Sequence, residues 1–160
     1  APVEQINGAN KNLISLISPK LASKSFEEIN TNIYKRTRLA FLVGLAIALV
    51  YILIIPFIFK LFFPKYLDSV FLSQIYSLIL PLTLPLTILS SALQAKLVHM
   101  PKNILYKIYT IPQIALIVLI LVLTIMFGVI GTIMASIIHK FITCCIYLFY
   151  WKKISNLKIA

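Results

Sequence analysis

From Val129 to Tyr150 the chain reads VIGTIMASIIHKFITCCIYLFY, 22 residues with one formal charge, Lys140. A helix of that length is about 33 Å long, enough to cross a hydrocarbon core of roughly 30 Å. Three further charge-free runs cover residues 39–59, 70–95 and 108–127. No water-soluble core accommodates four such runs in 160 residues, of which 61% are hydrophobic and 12% charged. A soluble domain is roughly 45–50% apolar and about 25% charged. The pattern predicts an all-α, polytopic membrane helical bundle with four transmembrane helices. To these it adds a partial N-terminal helix and an interfacial helix.

Lys140 sits near the middle of its run, next to His139. A lysine at bilayer depth is costly and usually faces a protein interior or a water-filled cavity. Thr132, Ser136, Lys140 and Thr143 recur at helical spacing and form one polar stripe. Two readings stand side by side: the stripe lines a cavity, or the helix is shifted and Lys140 snorkels to an interface.

Residues 1–19 read as the end of a preceding polar membrane helix or as a tail, stopped by Pro19. Residues 20–38 read as a basic amphipathic linker. There Ser25 and Glu28 match a capping box, and Ile29, Ile33 and Tyr34 give an apolar face. In the span 39–59, Ala40, Gly44 and Ala48 recur every four residues, a spacing that lets another helix approach closely. The span 70–95 holds Pro81 and Pro85. Each removes a backbone donor, so a bend or break is expected there, and the pair is a candidate hinge. Ser73, Ser77, Thr87, Ser91 and Gln94 give the same span a broken polar edge, which fits either a site lining or ordinary packing. Between the last two spans only Gly128 intervenes, and with Gly131 it permits a tight helical hairpin. The four spans make one membrane domain, 39–151, that ends on an aromatic-then-basic exit at Trp151, Lys152 and Lys153, and residues 152–160 form a tail.

The net charge is +11. Because the basic residues flank apolar runs, membrane orientation explains them more simply than nucleic acid does. With connections alternating between two sides, one side collects Lys20, Lys24, Lys35, Arg36, Arg38, Lys96, Lys102, Lys107, Lys152, Lys153 and Lys158. The other collects Lys60 and Lys65. The positive-inside rule assigns the first side, with the C-terminus, to the cytoplasm. Cys144 and Cys145 are adjacent inside a span and read as small packing residues. Nothing in the sequence calls for a metal or a cofactor. The four acidic residues are scattered, which argues against an enzyme.

The order SPKLA, a basic amphipathic stretch, a long span and LFFPKYLDS, then SSALQAK and FGVIGTIMAS, covers roughly residues 13–152. It resembles the C-terminal part of the polysaccharide flippases of the multidrug/oligosaccharidyl-lipid/polysaccharide exporter superfamily. That resemblance implies a transporter of the bacterial cytoplasmic membrane that moves undecaprenyl-pyrophosphate-linked oligosaccharide by alternating access. It also implies an N-terminal half preceding this stretch and a substrate cavity between two bundles. Lys140, with His139, Ser136 and Lys11, would be the substrate-binding candidates. The alternatives are a cation-coupled multidrug exporter of the same superfamily, although none of the four spans holds an acid, and a structural membrane subunit without transport activity.

Overall fold

The computed structural model describes residues 26–96 and 102–156. The readings made for residues 1–25, including the preceding helix, the Ser25 cap and Lys11, and for the last residues of the tail lie outside it. Helix α1 is Phe26–Phe62. A short 3-10 turn, Pro64–Tyr66, reverses the chain into α2, Ser69–Ser77, and α3, Leu80–Ala95. The segment Lys102–Asn156 is helical throughout except at Gly128, whose φ of 60° and ψ of −133° divide it into two arms. These are α4, 102–127, and α5, 129–156. No strand occurs among the described residues.

Three helical stretches are long and apolar enough to cross a membrane: Asn30–Phe62, Ser69–Ala95 and Lys102–Ser155. The expected helical bundle is present, with three such stretches where four separate spans were expected. The third stretch turns back on itself. Thr124 and Thr132 bond through their hydroxyls at 3.0 Å, and His139 lies against the backbone of Pro112. Those pairings put α4 and α5 antiparallel. They cross so closely that a methyl on Gly131 would run into the Leu123 carbonyl oxygen.

The boundary expected at residue 38 is absent. Helix α1 runs unbroken for 37 residues, about 55 Å, far more than one crossing needs. No proline or glycine occurs before Gly44 to interrupt it, and the apolar face of its first turns has somewhere to pack. Ile33 is buried with Leu89, Leu93, Ile108, Trp151 and Ile154. The described part of the expected interfacial element, residues 26–38, is therefore an extension of the first span, held by the ends of three other helices.

Ile33, Gly44, Ala48 and Ile55 are the buried positions of α1, a single stripe at helical spacing. The stripe faces α3 and α2. Gly44 approaches so near that an added methyl would lie 2.8 Å from both the Leu80 carbonyl oxygen and the Pro81 Cα. The small residues act as their spacing suggested: in lipid, helices associate through close packing, and a glycine lets one backbone reach another. Farther along, Tyr51 bonds Ser73 at 2.7 Å, and Gln74 donates to the Ile52 carbonyl at 3.0 Å.

The most enclosed element is α3, which packs against α1 on one side and the hairpin on the other. The outer faces of α1 and the hairpin are apolar and exposed, as at Leu53, Phe57, Ile117 and Ile125. That is the surface a bilayer covers.

Candidate functional site

The break in the second stretch falls at Leu78 and Ile79. Pro81 lies in the first turn of α3, where a missing N–H costs least, and Pro85 lies inside the helix. Pro81 cannot donate to the Ser77 carbonyl, nor Pro85 to the Pro81 carbonyl. The chain is restitched around Ile79, whose carbonyl accepts from the Leu82 N–H at 3.2 Å, the Thr83 N–H at 3.0 Å and the Thr83 hydroxyl at 2.9 Å. The expected discontinuity is thus a local change of hydrogen bonding at Leu78 and Ile79, both of which keep helical φ and ψ, nearly two turns upstream of Pro85 and beside Gly44.

The polar edge of the same stretch is internally satisfied. Ser77 donates to the Gln74 carbonyl, Thr87 to Thr83 and Ser91 to Thr87, while Gln94 donates to the Ser90 hydroxyl. Ser77, Thr83, Thr87 and Ser91 are buried. A hydroxyl in a dry helix interface meets its need at the carbonyl four residues back, so these groups pack and offer no open donor.

The stripe on α5 divides in the same way. Thr132 and His139 face α4. Ser136 donates to the Thr132 carbonyl at 3.0 Å and Thr143 to the His139 carbonyl at 2.7 Å. The Thr143 oxygen also lies 3.3 Å from the His139 ring nitrogen. His139 and Ser136 therefore spend hydrogen bonds within the hairpin.

Lys140 differs. It is half-buried, and no hydrogen-bond or ion-pair partner meets it among the described residues. It stands 12 residues past Gly128 and 11 before Trp151, about 18 Å and 17 Å along the helix. A lysine side chain does not reach either end from there. Both α3 and α5 run towards the cluster that holds Leu93 and Ile154. Ile79 is 14 residues before Leu93 and Lys140 is 14 before Ile154, so both lie at one depth, about 21 Å from that cluster. The tertiary fold thus puts Lys140 level with Leu78 and Ile79, where the helix is interrupted.

Trp151, expected as part of an aromatic belt, is buried to 0% exposure in the core cluster, and its indole nitrogen donates to the Asn30 side chain at 3.1 Å. The sequence carried no signal for that pairing, which joins residues 121 positions apart. Cys144 packs against the cluster and Cys145 is exposed. Among the described residues no group of three His, Cys, Asp or Glu is placed to hold a metal.

No protein-family model matches the chain, and neither a similar curated protein nor a similar solved structure is found.

Proposed function

We propose that the chain is part of a membrane transporter that moves lipid-linked oligosaccharide across the bacterial cytoplasmic membrane. The observation that carries this reading is Lys140: a cation at mid-depth with no hydrogen-bond or ion-pair partner among the described residues. A buried ammonium needs a counter-charge, and the pyrophosphate of a lipid-linked glycan supplies one with strong acceptor oxygens. The sequence resemblance to polysaccharide flippases supports the same substrate class. In this reading the two arms of the hairpin each cross the membrane, which gives four crossings, and the basic end with the C-terminus is cytoplasmic. Alternating access rocks this bundle against a second one, with the break at Ile79 as the compliant point. A cation-coupled drug exporter is less favoured, because its substrate calls for an acid where the four long runs have none.

The test is export of surface polysaccharide in a strain lacking its own flippase, with membrane protein level followed by blot. Lys140→Ala is expected to reduce export at least tenfold at unchanged protein level, as loss of a charge-assisted contact of about 1.5–3 kcal/mol requires. Lys140→Arg is expected to keep part of it. Normal export by Lys140→Ala would remove the residue from the substrate path.

A further inference from the structure

The basic end of the bundle shows a second pattern that the transport reading does not use. On each of three helices an exposed cation heads an exposed apolar stripe that runs into the membrane. Lys35 of α1 is followed at helical spacing by Leu39 and Leu42, both more than half exposed. Lys107 of α4 is followed in the same way by Ile111 and Ile114. Lys152 of α5 is preceded by Phe149 and Phe141.

These cations share one level. Lys35 is two residues from buried Ile33, Lys107 adjoins buried Ile108, and Lys152 adjoins buried Trp151, all within one packed cluster. Tyr34 and Tyr106, each next to one of these lysines, are exposed as well. Amphipathic rings at that position mark the headgroup level. None of the three lysines has an ion-pair partner among the described residues. The orientation rule asks only that positive charge lie on one side. It does not ask that each charge head an exposed apolar stripe.

We infer that this end binds acidic phospholipids, with the headgroup phosphate on Lys35, Lys107 or Lys152 and an acyl chain along the stripe behind it. A free phosphate satisfies the cation but leaves the stripe unused, whereas a phospholipid satisfies both. The inference rests on the membrane reading alone, so it stands or falls independently of the export assay.

The full-length protein is reconstituted in vesicles of equal phosphatidylglycerol and phosphatidylcholine, extracted in mild detergent, and its retained lipid quantified by mass spectrometry. Each basic residue near an anionic surface strengthens attraction by about fivefold, so retained phosphatidylglycerol should exceed phosphatidylcholine by about that factor or more. Washing in about 1 M salt, where charges act only within about 3 Å, should bring the ratio near one without any substitution. The Lys35→Gln/Lys107→Gln/Lys152→Gln variant should do the same in low salt. Equal retention by the wild type would overturn the inference, as would an unchanged ratio in the triple variant. Displacement of the lipid by millimolar inorganic phosphate would overturn it too, by showing a free-anion site.

Discussion

The Trp151 indole nitrogen donates to the Asn30 side-chain oxygen at 3.1 Å and so ties the end of the last helix to the start of the first. The ring is fully buried among Ile33, Leu89, Leu93 and Ile108, so four helices converge on one side chain. The hydrogen bond fixes the orientation of the ring, and the ring's bulk fills the space between the helices.

That relationship predicts two separable costs. Trp151→Phe keeps most of the packing and loses the donor, and should lower stability by about 0.5–1.5 kcal/mol. Trp151→Ala should cost about 3–5 kcal/mol. Thermal unfolding in detergent measures both. If the bond is made, the double variant Asn30→Ala/Trp151→Phe should lose less than the two single losses added together.

The glycines make different demands. Gly128 needs its backbone conformation and has open space around it, so Gly128→Ala should cost about 1–3 kcal/mol through strain alone. Asn should not rescue it, because a ψ of −133° lies outside the left-handed helical region that Asn tolerates. Gly131→Ala drives a methyl into the Leu123 backbone and should be worse than Gly128→Ala in the same unfolding assay. Equal losses would show that the arms separate easily.

The break at Leu78 and Ile79 predicts a hydrogen-exchange signature. In the Pro81→Ala/Pro85→Ala variant two N–H donors return, and amides 78–82 should become better protected as α2 and α3 merge. Under the proposed function the same variant should reach the membrane and export more slowly. Unchanged export with increased protection would show that the break is not needed for transport.

Topology is checked by single cysteines in a background free of Cys144 and Cys145. A cysteine at position 66 should react with an impermeant reagent added outside intact cells, and one at 153 should react only after permeabilisation, as the clustering of Lys and Arg at one end requires. The reverse pattern would invert the orientation.

The sequence by itself determined that the chain is helical, with stretches long and apolar enough to cross a membrane, as runs such as 39–59 and 108–127 show. It also located the turn at Gly128 and the contact stripe through Gly44, since only glycine meets those backbone demands. It marked Lys140 as unusual, because a charge at that depth is rare in any fold. It did not reveal that α3 is the enclosed helix, that α1 continues through Arg38, or that Trp151 is buried against Asn30. Nor did it tell the satisfied hydroxyls of Thr87 and Ser136 from groups open to a ligand. The reason is physical. In a bilayer an apolar side chain is equally at home against lipid or against protein, so hydropathy finds the spans but not their packed faces. Which faces meet depends on shape and hydrogen-bond partners, and the helices acquire those only when they are assembled.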